Sequence, residues 1–202
     1  MTGNRRRLTV EAGSFVLSNR QDEEITTSVP VGSGLLVCLT NDRESLAALL
    51  HFAQPDSAKQ PDEAATQPAR FADTGLALLF EETERLGVAA ARCKVRLVGA
   101  ATVPGQNGSD KVAKRNLLAA RAALWRRGIF LDGEDVGGTR ARRATLTVEN
   151  GRLIVELEGE ASPPSDEPEA APRQTAPNCP PSGRAAGGNP AGGDVMKQQT
   201  QE

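Results

Sequence analysis

The sequence predicts an α+β fold, in which about seven strands and two main helices form a layered α/β/β sandwich within a single domain. Three observations lead to this prediction. Short apolar runs of strand length, bounded by turn residues, recur along residues 7–158. Two longer segments, 72–87 and 109–128, carry apolar residues at helical spacing. A chain of 202 residues is long enough for one domain of ordinary size.

The strands are predicted from local hydrophobic patterns. RLTVEAGSFVLS alternates well enough for one or two strands, and GLLVCLTN is an apolar run that suits a strand buried on both faces. SLAALLHFAQ, residues 45–54, stays open between helix, which its composition favours, and strand, which its length favours. Further strands are predicted in CKVRLVGA, GIFLDGEDVGG, RATLTVENG and RLIVELEG, with a type I′ turn at Asn150-Gly151 between the last two.

Both helices have recognisable ends. ADTGLALLFEETERLG is amphipathic, and Gly87 follows it at the C-terminal cap. SDKVAKRNLLAARAALWRRG offers Ser109 and Asp110 as candidates for the N-terminal cap and ends at Gly128.

The composition changes sharply near residue 159, and this sets the predicted domain boundary. Residues 1–159 form the folded domain, which includes a polar segment at 55–70 that is predicted to be a long surface loop. Residues 160–202 hold eight of the 13 prolines and no aromatic residue. Such a segment buries too little apolar surface to offset its chain entropy, so a disordered tail is predicted.

Charge and composition exclude several classes of protein. A net charge of −2 argues against a protein that coats nucleic acid, and no apolar run approaches the roughly 20 residues that cross a bilayer. The start, MTGNRRRLTVEAGSF, lacks the apolar core of a signal peptide, so a cytoplasmic protein is expected. Cys38, Cys93 and Cys179 have neither zinc-site nor disulfide spacing, and no metal or cofactor is predicted.

One short segment has the pattern of a reactive site. SVPVGSGLLVCLTND, residues 28–42, reads like the nucleophile strand of a thiol hydrolase, yet the residue after the Gly-Ser pair is Gly34. His51 is the only histidine, so it is the only imidazole available as a general base.

Several motifs, taken in order, resemble the CheD family, whose members are glutamine deamidases that act on bacterial chemoreceptors. The resemblance covers residues 14–157. It is carried by the segments VGSGLLVCLTND, HFAQP, RFADTGLALLFEETERLG, VGAAT, KRNLLAARAALWRRGI and EDVGGTRARRATLTVENGRLIV. The helix that contains Asn116 and the EDVGGTRAR loop are its most specific parts, and the arginines of this loop are expected to fix it after Gly137-Gly138.

The resemblance implies a Cys–His–Thr constellation in which a thiolate attacks the receptor glutamine and water then hydrolyses the thioester. Carried over by position, the general base is His51 and the orienting hydroxyl is Ser28. The nucleophile position is occupied by Gly34, six residues after Ser28 and 17 before His51. Nearby, Ala47-Ala48 and Ala100 replace glycines that the family usually has, and their methyl groups are expected to narrow or restrain the cleft.

Other readings of these residues remain open. Cys38 lies four residues beyond Gly34, about 13 Å along an extended strand, and Ser33 alternates to the opposite face, so neither is expected to replace the missing thiol. His51 in an apolar run is also compatible with a core histidine, and Gly34 with a strand glycine that admits a neighbouring backbone. Whether the chain is an enzyme is therefore undecided at this point.

The resemblance to the CheD family implies two alternative functions, each with its own partners. The first is a chemotaxis adaptation protein that deamidates receptor glutamines, impaired here because the nucleophile is absent. The second is a non-catalytic binding module for chemoreceptor cytoplasmic helices or for a CheC-type phosphatase. Neither nucleic acid binding nor membrane insertion is expected. The basic residues of the second helix, among them Lys114, Arg115 and Arg121, are either a solvated face or a surface that steers an acidic receptor helix.

Overall fold

The computed structural model describes residues 5–105 and 108–158, and the tail predicted at 160–202 lies outside them. Within this part of the chain there are nine strands and three α-helices, which confirms the α+β class. The strands are β1 (Arg6–Val10), β2 (Ser14–Ser18), β3 (Glu23–Thr27), β4 (Leu35–Asn41), β5 (Leu46–Phe52), β6 (Lys94–Gly99), β7 (Leu131–Val136), β8 (Arg142–Thr147) and β9 (Leu153–Leu157). The helices are α1 (Pro61–Thr66), α2 (Ala72–Arg85) and α3 (Ser109–Arg126).

The strands form two sheets. The first has four strands in the order β1-β3-β8-β9, and the second has five in the order β2-β5-β4-β6-β7. Most neighbours are antiparallel, whereas β1 with β3 and β6 with β7 are parallel. The central strands β4 and β5 of the larger sheet are buried along their whole length, as the continuous apolar run in β4 predicts.

Two hydrophobic cores lie on opposite faces of the five-stranded sheet. One face packs against α2 and α3 and contributes Leu35, Val37 and Leu39 of β4. The alternate residues Leu36 and Cys38 belong to a second core, shared with the four-stranded sheet. The layers are therefore helices, sheet and sheet, the predicted α/β/β arrangement.

Local departures from the sequence prediction have identifiable causes. Strand β3 was not predicted, because its sequence EEITT places polar residues at buried positions. SLAALLHFAQ forms strand β5, since its side chains pack on both faces of the sheet. Segment 55–70 contains the short helix α1 and two 3₁₀ turns rather than an irregular loop.

The predicted caps and turns are correct in part. Gly87, with φ of +81°, ends α2 as expected. The N-cap of α3 is Gly108 rather than Ser109 or Asp110, because the Ser109 hydroxyl donates instead to the carbonyl of Val103. Of the turn pair at 150–151, only Gly151 has positive φ, so the turn is not type I′.

The EDVGGTRAR loop is held as predicted by one arginine. Arg142 is almost fully buried, and its Nη1 donates to the carbonyl of Gly137 at 2.8 Å. Its Nε also donates to the carboxylate of Asp135 at 2.9 Å. Val31 pairs with Arg142 through an isolated antiparallel bridge. This bridge places the EDVGGTRAR loop beside residues 31–34.

Candidate functional site

Gly34 and His51 meet at one end of the paired strands β4 and β5. An ideal Cβ built on Gly34 would lie 3.1 Å from Nε2 of His51 and 3.0 Å from the carbonyl oxygen of Phe52. His51 pairs with Leu36 in the strand register, so Gly34 is its diagonal neighbour. The side-chain position at residue 34 therefore points directly at the imidazole.

Both positions lie on the face of the sheet that is turned toward the four-stranded sheet. His51 lies two and four residues after Leu49 and Ala47, so its side chain is on the same face of β5 as theirs, which belong to the core between the sheets. Gly34 likewise precedes Leu36 and Cys38 by two and four residues, so it shares their face toward that core. The pairing of β4 with β5 is regular from Leu35 to Asn41, so this assignment of faces holds along the strand.

The environment of His51 keeps the imidazole neutral. The residue is 5 % exposed, and burial lowers the pKa of His51 to about 4. Its Nδ1 is buried and has no hydrogen-bond partner within the described residues. A buried ring nitrogen without a partner is costly, and none of the described residues holds the imidazole in one tautomer through Nδ1.

Ser28, the predicted orienting hydroxyl, makes other contacts. It follows β3, in the other sheet, and its hydroxyl donates to Oε2 of Glu11 at 3.1 Å. Its carbonyl accepts from Nη1 of Arg143 at 3.2 Å, and its N–H donates to the carbonyl of Val10. Among the described residues, no hydrogen bond joins Ser28 to His51. The structure thus brings Gly34 and His51 together, but it does not join Ser28 to them.

The loop after β6 holds the backbone of Gly34. The carbonyl of Gly34 accepts a hydrogen bond from the N–H of Ala100 at 2.7 Å, and a Cβ on Gly99 would lie only 2.8 Å from the same oxygen. Gly99 has φ of +118°, so both its conformation and this close approach require glycine. Ala100 has φ of +50°, which costs an ordinary L-residue about 1–2 kcal/mol.

Asn116 of α3 fixes the ends of both strands, a role that sequence reasoning missed. Its side chain is fully buried, and Nδ2 donates to the carbonyls of Ser33 and Ala53, each at 3.0 Å. Ser33 directly precedes Gly34, and Ala53 directly follows Phe52 at the end of β5. The motif drew attention to Asn116, but only the long-range packing of α3 reveals that one amide brackets the site.

The alanines expected to narrow the cleft act differently. Ala47 and Ala48 pair with Thr40 and Leu39, at the far end of β4 from Gly34, so they do not line the site. Ala100 packs into the core under the helices, and its effect is on the backbone conformation. The crowding at position 34 comes instead from the Phe52 carbonyl and the His51 ring.

Cys38 is a poor candidate for a replacement nucleophile. Burial raises the pKa of the Cys38 thiol to about 12, although the nearby Arg96 cation acts in the opposite direction. Cys38 is also a diagonal neighbour of His51, on the side opposite Gly34. Because Nε2 is turned toward Gly34, it lies about 10 Å from the Cys38 side chain by strand geometry. This is far beyond hydrogen-bond reach.

Comparison with known proteins decides the family. The family model described as CheD chemotactic sensory transduction matches residues 54–157. The chain belongs to the CheD family. The matched range includes α2, α3 and the EDVGGTRAR loop and begins just after His51, so it does not include Ser28, Gly34 or His51.

Relatives in the CheD family span most of the same length. The chemoreceptor glutamine deamidase CheD of Thermotoga maritima is 30% identical over 135 residues, which are 67% of this chain and 83% of that protein. A probable chemoreceptor glutamine deamidase CheD of Solibacter usitatus is 32% identical over 137 residues, 68% of this chain and 81% of that protein. One from Syntrophus aciditrophicus is 29% identical over 150 residues, 74% and 93% respectively.

Other predicted features concern ligands and charges. Within the described residues, no cluster of His, Cys, Asp or Glu is arranged to hold a metal, and no helix is long and apolar enough to cross a membrane. Of the cations considered for steering, Arg121 is already paired, since its guanidinium makes two hydrogen bonds to the carboxylate of Glu134. Lys114 and Arg115 are exposed on α3.

Proposed function

We propose that this CheD-family protein binds chemoreceptors in bacterial chemotaxis but is impaired as a glutamine deamidase. The observation that carries the proposal is the glycine at position 34. An ideal Cβ there would lie 3.1 Å from Nε2 of His51, so a thiol carried on that carbon would stand beside the imidazole, as a nucleophile stands beside its general base. With glycine in this position, no thioester can form on the side chain of residue 34.

His51 does not supply an alternative route by activating water. A general base works best when its pKa lies near the working pH. Burial lowers the pKa of His51 to about 4, so its imidazole is a weak base at neutral pH. In the part of the chain that the structure describes, its Nδ1 also lacks a partner that would stabilise the imidazolium formed during proton transfer.

The receptor as partner is inferred from the CheD relatives, which are named for chemoreceptor glutamine deamidation. Segment 28–33, which leads directly into Gly34, is the proposed contact. It presents the half-exposed Val29 at the surface and is held by the bridge between Val31 and Arg142. A CheC-type phosphatase is the second candidate partner and would compete for the same segment.

The test measures binding and deamidation in one experiment. A purified cytoplasmic fragment of a chemoreceptor is incubated with the wild-type protein, and ammonia release is measured beside the dissociation constant. Binding without ammonia release is expected. Val29→Glu is expected to weaken binding, whereas Leu86→Glu, at an equally exposed apolar position after α2, is expected to leave it unchanged. Ammonia release by the wild type, or no binding to the fragment or the phosphatase, would refute the proposal.

A further inference from the structure

The outer face of α3 carries large apolar side chains that the fold leaves in solvent. Leu118 is 65% exposed and Trp125 is 73% exposed, and Ala122 lies between them on the same helical face. Phe130, also 73% exposed, follows the helix, and its ring meets that of Trp125 edge to face at 6.2 Å. We call Leu118, Ala122, Trp125 and Phe130 the α3 seam.

The spacing of the α3 seam is that of a helix-packing surface. Leu118, Ala122 and Trp125 are related as i, i+4 and i+7, the pattern by which one helix presents a continuous stripe to another. The small Ala122 side chain, which lies between Leu118 and Trp125, allows a partner helix to approach α3 closely. Exposed tryptophan in such a stripe is typical of interfaces, where it contributes a large share of the binding energy.

The exposed charged side chains of α3 around the seam are almost all positive. Among the residues of α3, only Asp110 is acidic. Arg121 is paired with Glu134, whereas no ion pair within the described residues involves the other cations of the helix. The exposed cations of α3 and its C-terminal cap are Lys111, Lys114, Arg115, Arg121, Arg126 and Arg127.

A groove lies beside the α3 seam. It lies between α2 and α3 and has a volume of about 220 Å³. Leu76, Phe80 and Ala123 line its apolar part, and Arg126 and Arg127 line its rim. The Arg127 guanidinium stacks over the Phe80 ring at 4.9 Å, which holds this rim in place.

We propose that the α3 seam docks an acidic amphipathic helix of a partner protein, at a surface separate from the Gly34–His51 site. Apolar side chains of the partner would pack on Leu118, Ala122 and Trp125, and its flanking carboxylates would meet the α3 cations. The two surfaces are distinct because α3 covers the helix-side core, whereas Gly34 and His51 face the core between the sheets.

Charge and shape favour this occupant over two others. A second copy of this chain would bring two sets of like-charged α3 residues together, which disfavours association across this face. A bilayer surface would contact only the protruding residues and gain nothing from the groove.

The single tryptophan of the chain makes the seam directly observable. Trp125 is the only tryptophan in a chain without tyrosine, so protein fluorescence reports its environment. The probe is a synthetic helical peptide with leucine at the a and d positions of each heptad, glutamate at the flanking positions and no tryptophan. Docking is expected to shift Trp125 emission to the blue, and the same peptide with lysine in place of glutamate is expected to cause no shift.

Variants locate the docking site. Leu118→Ala is expected to raise the dissociation constant of the labelled peptide at least about tenfold, the usual effect of truncating an interface anchor. Leu86→Ala, another exposed apolar position, is the matched control and is expected to have no effect. Lys114→Glu is expected to weaken binding, whereas the same charge change at the exposed Arg152 is not.

Each remaining outcome supports or overturns the proposal. His51→Leu is expected to leave peptide binding unchanged, and a loss would show that the peptide occupies the Gly34–His51 site instead. Binding to phosphatidylserine vesicles without binding to the peptide would assign the seam to a membrane surface. A seam-dependent dimer in sedimentation would assign it to a second copy. Absence of a Trp125 shift at saturating peptide would reject the docking surface altogether.

Discussion

The imidazole of His51 occupies the space into which a side chain at residue 34 would project. Nε2 of His51 lies 3.1 Å from the ideal Cβ position of Gly34, closer than most contacts that a Cβ atom makes in folded proteins. The local structure thus suits glycine, because the Phe52 carbonyl and the His51 ring leave little room for a Cβ at this position.

Adding a side chain at position 34 should cost stability. Gly34→Ala and Gly34→Cys are both expected to lower the free energy of unfolding by about 1–3 kcal/mol, since the Phe52 carbonyl and the His51 ring must move. Gly133→Ala is the control, because its Cβ would meet only Arg96 at 3.8 Å. It is expected to be neutral or slightly stabilising. Urea denaturation at pH 7 measures all three, and equal effects at positions 34 and 133 would contradict the prediction.

His51 should make stability depend on pH. Because the pKa of His51 falls from 6.5 in the unfolded chain to about 4 in the fold, only the unfolded state takes up this proton between these values. The contribution of the neutral His51 to the free energy of unfolding is fully present above pH 6.5 and is lost as pH falls toward 4. The loss amounts to about 3 kcal/mol.

The variant His51→Leu separates the pH dependence of stability that is due to His51 from the part that is due to Asp and Glu residues. It removes both the titration and the buried Nδ1 without a partner. We expect it to be about 1 kcal/mol more stable than the wild type at pH 7, and the difference to grow as pH falls to 4. Denaturation curves at several pH values measure this difference, and a difference that stays constant with pH would show that His51 does not titrate as described.

Asn116 should be a major determinant of the local structure. Asn116→Ala removes the donor to two carbonyls, those of Ser33 and Ala53, and is expected to destabilise the fold by about 2 kcal/mol or more. Leu118→Ala, two positions along the same helix and exposed, is expected to change stability by less than about 0.5 kcal/mol. Thermal or urea unfolding distinguishes them, and a neutral Asn116→Ala would mean that the two carbonyls find other donors.

Removal of residues 160–202 should leave the folded part intact, because this segment has too little apolar content to pack. The melting temperature of a chain that ends at residue 159 is expected to equal that of the full chain. A clear decrease on truncation would show that the tail packs on the domain.

The sequence predicted those features that depend on local pattern. The apolar run of β4, the amphipathic face of α2 and the positive φ at Gly87 were all predictable, because each depends on neighbouring residues. Strand β3 was missed because its buried Glu23 is accommodated by groups outside the strand, which its own alternation pattern does not reveal. The Ser18 hydroxyl donates to this carboxylate at 2.6 Å, and Arg6 lies 3.4 Å from it.

The features of the candidate site can also be separated into those that the sequence predicts and those that depend on distant residues. The spacing of Gly34 and His51, interpreted through the family resemblance, predicted that these positions meet. The contacts of Ser28 with Glu11 and of Asn116 with the strand ends were not predictable, because they join residues far apart in the chain. The neutral imidazole, whose Nδ1 has no partner among the described residues, likewise follows from burial between two sheets, which no local pattern encodes.

The most direct test of the central claim is mass spectrometry of a receptor glutamine peptide after incubation with four proteins: the wild type, Gly34→Cys, Gly34→Ala and Cys38→Ala. Loss of the nucleophile in a hydrolase costs about a million-fold in turnover, so no conversion of amide to acid is expected with the wild type. Gly34→Cys is expected to restore measurable conversion, because its thiol would lie beside Nε2 of His51 and loses its proton far more readily than water does, and Gly34→Ala is not. Conversion by the wild type that is abolished in Cys38→Ala would contradict the account and assign the chemistry to Cys38.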